Sequence, residues 1–238
     1  MSNKLISAIR RKDILLFILS VCLFTLHPQL DIAFSQLFYD PVNEVFFLKD
    51  HPFIQATYYL FARPHLIILP LLIFMAIYCY KKYRQDRHKR YIYSFLLASL
   101  LLGPGLIVNE VIKNNSIGRA RPVQVNEFGG QGQFTPAFFY SGQCQTNCSF
   151  VSGHAAVGFY FIGLGFLLRR RDAFYWGLAI GILISFTRIA KGGHFLSDTV
   201  FAFWTVYFTN LFLAQLFGFK CPMLAPEARR SVAPAATA

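Results

Sequence analysis

The sequence predicts an all-α membrane protein, a single polytopic bundle of six transmembrane helices with both termini in the cytoplasm. Three observations predict this fold class. The 238 residues are 55% hydrophobic and only 14% charged, which is too apolar for an ordinary soluble domain. Most of the apolar residues fall in runs close to the length that a bilayer requires. Basic blocks stand at alternate ends of successive runs, as the positive-inside rule requires.

Six apolar runs are the predicted spans. Basic residues precede the first run, so it is either a cleaved signal peptide or an uncleaved anchor, and the poor cleavage site at 33–35 favours the anchor. Pro70 is expected to bend the second span, and the Gly-Pro-Gly sequence at 103–105 to break or kink the third. The spans are predicted at 13–30, 64–80, 91–112, 154–168, 173–189 and 199–219.

The segments between the spans assign the two faces. Residues 31–63 are mildly acidic and rich in aromatics, which is typical of an outer loop with one or two interfacial amphipathic turns. Residues 113–151 form a longer outer loop, rich in Gly, Gln and Asn. The tail after Lys220 is rich in Ala and Pro and is predicted to be disordered in the cytoplasm. The chain therefore divides into one membrane domain, 1–220, and a tail, 221–238, with no internal repeat.

The net charge of +12 first suggests a nucleic-acid or anionic-lipid partner. The placement of the cations at span ends argues against nucleic acid and makes the lipid bilayer the partner, with no obligate protein partner evident. A smaller group of cations lies on the outer side, where the positive-inside rule disfavours them. Such cations suggest a local function, and binding an anion is the simplest one. They are Lys49, Arg63, Lys113, Arg119, Arg121, Arg188 and Lys191.

The first motif, residues 113–122, leaves the end of the third span. Lys113 offers a point charge, and Arg119 and Arg121 offer fork-shaped guanidinium groups that match phosphate oxygens. The alternative is that these cations merely extend their charged ends from the membrane boundary into water.

The second motif, residues 149–154, runs into the fourth span. Ser152 can cap the helix, and Gly153 lets the backbone approach a ligand closely. Free amides at this helix start, together with the helix dipole, make an anion site. His154 would lie at its rim and could give a proton to a leaving oxygen. The alternative is an ordinary helix cap followed by an interfacial histidine.

The third motif, residues 187–198, lies between two strongly apolar segments. Arg188 is a further phosphate-type donor. On a helix starting near His194, Asp198 is the i+4 neighbour on the same face. Its carboxylate can accept a hydrogen bond from one ring nitrogen and leave the other free to attack or to exchange a proton. The alternative is a polar loop end with a helix cap, but the three motifs together form a coherent phosphate site.

The order Lys…Arg-Pro, Ser-Gly-His and Arg-x5-His-x3-Asp resembles the type 2 phosphatidic acid phosphatase superfamily over roughly residues 109–198. Thr187 stands where serine is usual, and Val151 where proline is typical. The spacing between Lys113 and the Arg-Pro pair is one residue longer than usual, so Arg119 is a further candidate for the phosphate site.

The resemblance implies a role for each motif residue. His194 would be the nucleophile that forms a phosphohistidine, and Asp198 would orient it. His154 would be the general acid and then the base that activates water. The family generally needs no metal or other cofactor, and no histidine or carboxylate cluster here has metal-ligand spacing. The residues that would bind the phosphoryl group are Lys113, Arg121, Arg188, Ser152 and Gly153.

Within the superfamily, the loop at 128–136 and the segment at 144–150 are similar to bacterial lipid A phosphatases, especially those that act on the 1-position. This resemblance implies a Gram-negative inner membrane with the site facing the periplasm. Cys144 and Cys148 share the polar loop, and a disulfide between them is expected if that side is oxidising.

The leading hypothesis is an integral inner-membrane lipid phosphatase that hydrolyses a phosphate monoester from a lipid head group, with the 1-phosphate of lipid A as first choice. Phosphatidylglycerophosphate and undecaprenyl diphosphate are alternative substrates, and transfer of the phosphoryl group to another lipid is an alternative outcome. The non-enzymatic alternative is an anion channel or transporter, which would have no need of His194 paired with Asp198.

Overall fold

The computed structural model describes residues 12–62, 65–113 and 117–219, and these are mostly helical. The predicted disordered tail, 221–238, and the N-terminal end lie outside the described residues. The membrane helical fold is therefore supported, whereas the cytoplasmic position of both termini stays a prediction.

The helices and strands follow one another as short elements at the N-terminal side and longer helices afterwards. They are α1 (Lys12–Leu26), α2 (Gln29–Gln36), β1 (Tyr39–Asp40), β2 (Val45–Phe46), α3 (Pro52–Ala62), α4 (His65–Lys82), α5 (Arg87–Leu100, continuing as a π-helix over Leu101–Lys113), α6 (Gly153–Phe159), a 3-10 turn (Tyr160–Ile162), α7 (Gly163–Leu168), α8 (Arg171–Ala190) and α9 (Leu196–Phe217). The strands pair antiparallel, with Tyr39 opposite Phe46. The long connection between α5 and α6 carries two 3-10 turns, Pro122–Gln124 and Asn126–Phe128.

Three described helices are long and apolar enough to cross a membrane: His88–Lys113, Arg171–Ala190 and Leu196–Phe217. The helices α1 and α2 meet at a bend of 84°. They make a fourth span if this bent pair is counted as one. The predicted count of six spans is thus supported only in part. The first predicted span bends because Pro28 lacks the amide that would continue the helix and disfavours helical backbone at His27.

The third predicted span does not break at its Gly-Pro-Gly sequence. The helix continues through Pro104 in wide π-helical turns as far as Lys113. The side chain of Asn109 bonds back to this turn, because its Nδ2 donates to the Pro104 carbonyl at 2.8 Å. The result is one long helix that carries Lys113 at its end.

Small residues let α6 pack closely against α8. A Cβ atom on Gly177 would lie 2.4 Å from the Ile162 nitrogen, and one on Gly181 would lie 2.0 Å from the Phe159 ring. Only glycine fits at such separations, as is common where helices pack inside a membrane. This close packing sets the first turn of α6 beside the last turn of α8, where two of the sequence motifs lie.

The outer faces of α1 and α4 are apolar and unpacked. Leu15, Leu19, Leu71 and Phe74 are between 54% and 64% exposed. Contiguous apolar surface of this kind is unusual on a protein surrounded by water and is typical of lipid-facing helices.

Candidate active site

The three sequence motifs meet at one end of the helical bundle. A Cβ atom on Gly153, at the start of α6, would lie 2.7 Å from Asn109 Oδ1 and 3.6 Å from Lys113 Nζ, at the end of α5. The Ser152 amide donates to the Asp198 carbonyl, in the first turn of α9, at 3.0 Å. The pocket is therefore built from the ends of α5, α6 and α8 and the start of α9.

His194 is fully buried between α8 and α9. Its Nδ1 lies 2.8 Å from the Ser149 carbonyl oxygen, which can only accept, so Nδ1 carries the proton. Its Nε2 is buried and has no hydrogen-bond partner in the part of the chain that the structure describes. In this tautomer Nε2 holds a free lone pair, which is what a nitrogen nucleophile needs.

Burial, followed by the charges of Arg188, Lys113 and Arg121, holds the pKa of His194 well below the ordinary value of 6.5. A buried imidazole among cations resists taking a second proton, because the charged form loses hydration and is repelled. His194 is therefore neutral at neutral pH.

The sequence predicts that Asp198 orients His194 directly. In the structure the hydrogen bond from His194 Nδ1 goes to a different group. Asp198 Oδ2 is 3.5 Å from His194 Nδ1, beyond ordinary hydrogen-bond distance, and the Ser149 carbonyl takes the proton instead. Asp198 acts one step away: its Oδ2 accepts from the Ser149 hydroxyl at 2.5 Å and from the Phe195 amide at 2.8 Å. The carboxylate thus holds the segment that holds the imidazole.

His154 lies in the first turn of α6, whose cap is Ser152, with the Ser152 hydroxyl accepting from the Ala155 amide at 3.3 Å. The imidazole of His154 stacks on the ring of Tyr58 with centroids 5.2 Å apart and planes at 23°. Its Nε2 is buried, and no described residue hydrogen-bonds to it. The site therefore contains two imidazoles with unpaired ring nitrogens.

Lys113 and Arg188 are nearly fully buried, at 6% and 4% exposure, and Arg121 is partly buried. The ion pairs formed within the described residues do not include any of these three. Arg121 Nη2 donates to the Asn147 carbonyl at 2.8 Å, while Arg188 Nε is buried with no hydrogen-bond partner among the described residues. Buried cations without carboxylates are costly unless an anion joins them, so this pocket is a candidate anion site.

The helix α3 closes one side of the pocket with Tyr58. The Arg188 guanidinium lies 4.9 Å from the centroid of this ring, and the Lys191 ammonium 4.2 Å from it. Lys191 is also held by Gln55, whose Oε1 accepts at 2.9 Å. Gly193 leaves room for Arg188, because a Cβ atom there would be 2.5 Å from Nη2.

Arg119 does not lie in this pocket. It is fully buried behind Asp198, and each of its three nitrogens donates to a protein acceptor. Nη1 donates to Asp198 and Ser197 at 2.7 and 2.9 Å, Nη2 to Asp31 at 2.7 Å, and Nε to the Thr135 carbonyl at 2.7 Å. These bonds leave it unsuited to bind phosphate, so the sequence-based candidacy of Arg119 is not carried forward.

Several residues of the site were missed by the sequence analysis. Asp31 was predicted to lie in an outer loop, although a buried acidic residue next to an apolar run needs a specific partner. Ser149 is the first residue of the second motif, and the sequence analysis assigned it no role. Tyr58 carries no local signal, because one aromatic residue among many in 31–63 is not distinguished by the sequence.

The loop over the site is tied down from both ends. Cys144 and Cys148 form a disulfide, with Cα atoms 5.6 Å apart. The Cys144 amide donates to the Gly118 carbonyl at 3.0 Å, and the Ser149 amide to the Arg119 carbonyl at 2.9 Å. The loop therefore delivers the Ser149 carbonyl to His194. In the described part of the chain no three His, Cys, Asp or Glu side chains are grouped to hold a metal ion.

The sequence matches the PAP2 superfamily over residues 88–221. A Francisella tularensis subsp. novicida protein named lipid A 4'-phosphatase is 34% identical over 193 residues, 79% of this chain and 86% of its own length. A Rhizobium leguminosarum protein of the same name is 33% identical over 76% of this chain and 84% of its own length. A Rhizobium etli protein named lipid A 1-phosphatase is 37% identical over 98 residues, which is 40% of this chain and 38% of that protein.

The fold is similar to a solved structure, a transmembrane PAP2-type phosphatidylglycerolphosphate phosphatase from Bacillus subtilis. The TM-score is 0.51 over 87% of this chain and 96% of that one, at 19% sequence identity. At this identity the similarity concerns the fold alone.

Proposed function

The chain belongs to the PAP2 superfamily and is a membrane lipid phosphatase, and from this premise we propose that it removes a phosphate monoester from lipid A at the periplasmic face of the inner membrane. Two observations support this finer assignment. The relatives that match most of the chain are named for lipid A. The disulfide over the site requires an oxidising compartment, which the periplasm is and the cytoplasm is not.

The 4'-phosphate is the first candidate for the group removed. The sequence analysis favoured the 1-phosphate, but the similarity to a protein named for that position covers only 40% of this chain, against 79% for the relative from Francisella named for the 4'-position. The 1-phosphate remains the second candidate because that shorter match is 37% identical.

The bound phosphate would be held by Lys113, Arg121 and Arg188, next to Ser152 and Gly153 at the start of α6. These three cations have no carboxylate partner within the described residues. They would stabilise the charge that spreads over the equatorial oxygens in the transition state, as fixed donors do in other phosphoryl transfers. This role needs no metal ion.

In the first chemical step the lone pair on His194 Nε2 attacks the phosphorus atom, and the bond from phosphorus to the lipid oxygen breaks. His154 takes up a proton when the phosphate anion enters among the cations and offsets their charge, and it donates this proton to the leaving oxygen, so dephosphorylated lipid departs and phosphohistidine remains. In the second step His154 accepts a proton from water, whose oxygen attacks phosphorus. The phosphorus–nitrogen bond breaks, inorganic phosphate leaves, and His194 is again neutral.

A single observation carries this proposal: the unpaired Nε2 of His194, whose other nitrogen is fixed by a carbonyl and whose surroundings are cations without counter-ions. An anion channel would need the cations but not a nitrogen held with its lone pair free. The geometry therefore supports covalent catalysis over conduction.

The test is a phosphate-release panel with purified protein and its His194→Ala variant. Lipid A, phosphatidylglycerophosphate and undecaprenyl diphosphate are the substrates, and mass spectrometry of lipid A products reports which phosphate has gone or whether it has moved to another lipid. His88→Ala is the matched control, because His88 is exposed at the opposite end of the helix that carries Lys113. We expect release by wild type and control only; substantial release by His194→Ala would refute nucleophilic catalysis.

A further inference from the structure

Asp31 reaches the catalytic residues from α2, far from them in sequence. It is 1% exposed and accepts three hydrogen bonds, from Arg119 Nη2 at 2.7 Å, from the Ser197 amide at 2.8 Å and from the Ser197 hydroxyl at 2.6 Å. It lies outside the family match, which begins at residue 88. A buried carboxylate with this many specific partners is a functional candidate on physical grounds.

We propose that Asp31 is a positioning residue for phosphoryl transfer, which acts on the nucleophile through Arg119 and Asp198. The inference rests on the proposed function, because it assumes that His194 is the nucleophile. Asp31 itself has no contact with the cations of the phosphate pocket, so it is not a catalytic residue.

The connection from Asp31 to His194 is a chain of short contacts. Arg119 uses Nη2 for Asp31 and Nη1 for Asp198 Oδ1, at 2.7 Å each. Asp198 Oδ2 is then free to accept from the Ser149 hydroxyl at 2.5 Å. The carbonyl of the same Ser149 fixes His194 Nδ1 at 2.8 Å. Every member of this chain is fully or almost fully buried, so no water competes for these contacts.

The charges explain why the second carboxylate matters. One buried guanidinium is shared by two carboxylates, and the sharing holds Arg119 at a fixed distance from each. Without the charge of Asp31, the only ionic partner of Arg119 within residues 12–62, 65–113 and 117–219 would be Asp198, and a fork-shaped guanidinium tends to bind both oxygens of a lone carboxylate. That pull would draw Oδ2 away from Ser149. Asp31 therefore keeps Asp198 oriented toward the loop that holds the imidazole.

Two aromatic rings also restrain Arg119, but they do not replace the two carboxylates. Its guanidinium lies 4.3 Å from the Phe195 ring centroid and 5.4 Å from that of Phe134. Stacking restrains the plane of the group, whereas the two carboxylates restrain its position within that plane. The loss of Asp31 is thus expected to displace Arg119 while it stays buried.

The experiment compares Asp31→Asn with wild type in kcat, in KM and in inhibition by inorganic phosphate. Asparagine preserves the shape and one acceptor but removes the charge. We expect kcat to fall by about 10- to 100-fold, because displacing a reacting group by up to about 1 Å costs rate on this scale. KM and the phosphate inhibition constant should stay within about twofold, because the three pocket cations are untouched. Asp40→Asn, at the end of β1, where the carboxylate is hydrogen-bonded within its own turn, is the matched control and should keep wild-type kcat.

A second variant covers the case in which Asp31→Asn does not fold. Ser197→Ala removes one hydrogen bond to Asp31 and one acceptor of Arg119 while leaving every charge in place. It should lower kcat by a smaller factor, again with unchanged KM. Wild-type kcat in whichever of these variants folds would overturn the proposal. So would a loss that only follows the folded fraction, or one that raises KM as strongly as it lowers kcat.

Isotopic oxygen exchange between water and inorganic phosphate separates this inference from the proposed substrate. The exchange reverses the second chemical step and needs no lipid. If wild type exchanges oxygen but leaves lipid A intact, the lipid A assignment fails and the Asp31 comparison continues on exchange rates. If wild type shows neither reaction, the phosphohistidine mechanism and the role of Asp31 fail together.

Discussion

One cation behind His194 and three cations in front of it differ in how their charge is balanced. Behind it, Arg119 is fully buried and shared between Asp31 and Asp198, with contacts of 2.7 Å to each. In front of it, Lys113, Arg121 and Arg188 form no ion pair within the described residues. The charge of Arg119 is balanced within the protein, whereas we propose that the charge of the other three is balanced by a bound anion.

This difference shows that burial of a cation does not by itself reveal its function. A buried charge needs a partner, and the partner is either supplied by the protein or left to the ligand. Arg119 and Arg121 are two residues apart in one motif, yet the structure assigns them opposite roles. Substitution of the paired cation and of one unpaired cation tests this difference.

The largest expected effect is on stability, from the paired cation. Arg119→Met should lower the free energy of unfolding by about 3–5 kcal/mol, because it leaves two buried carboxylates without their common cation. Thermal unfolding of the detergent-solubilised protein measures it. A variant that is as stable as wild type would show that the network contributes nothing to folding.

The next effect is on catalysis, from an unpaired cation. Arg188→Ala should lower kcat/KM by roughly 100- to 1,000-fold, the usual result of removing one charge-stabilising donor. Its melting temperature should not fall, since the residue removed has no counter-ion in the described structure. Arg170→Ala, an exposed arginine at the other end of α8, is the control. If both arginine variants kept wild-type kcat/KM, the pocket would be wrongly assigned.

The disulfide connects the paired and the unpaired cations, because its loop carries both the carbonyl that binds Arg121 and the serine that binds Asp198. Cys144→Ser should lower the free energy of unfolding by about 2 kcal/mol, the amount expected for closing so short a loop. Melting curves of wild type with and without reductant should differ in the same direction. Identical curves would mean that the bridge is absent or without effect.

The pKa of His194 gives a smaller, pH-dependent effect. The folded state holds this pKa below 6.5, so below that pH the unfolded chain binds more protons than the folded one. The contribution of His194 to stability is complete above 6.5 and is lost as the pH falls toward the folded value. His194→Ala should therefore flatten the acid side of the stability curve; a variant with wild-type acid sensitivity would place the titration on another group.

Chelation should have no effect at all. We propose that the unpaired cations supply the charge stabilisation that a metal supplies elsewhere, so turnover should be equal with and without EDTA. A loss of activity that added divalent metal restores would reveal a metal site in the working enzyme.

The helices were the more predictable part of the protein. The predicted spans at 173–189 and 91–112 lie within helices Arg171–Ala190 and His88–Lys113, because long apolar runs between polar ends specify such helices locally. The bend between α1 and α2, the short hairpin and α3 were not predicted in place. Their positions depend on packing against distant helices, which periodicity does not encode.

The sequence by itself determined the chemical groups: two histidines, an aspartate and several cations, at spacings that phosphoryl transfer uses. Tertiary structure alone decided which cations are paired with carboxylates and what fixes the ring of His194, the residue that we propose as nucleophile. The bonds that decide it join residues far apart, such as Ser149 to His194, 45 positions away, and Asp31 to Arg119, 88 positions away. Local spacing fixes neighbours on one helix, but the partner of a buried charge is set by whatever the fold places within 3 Å of it.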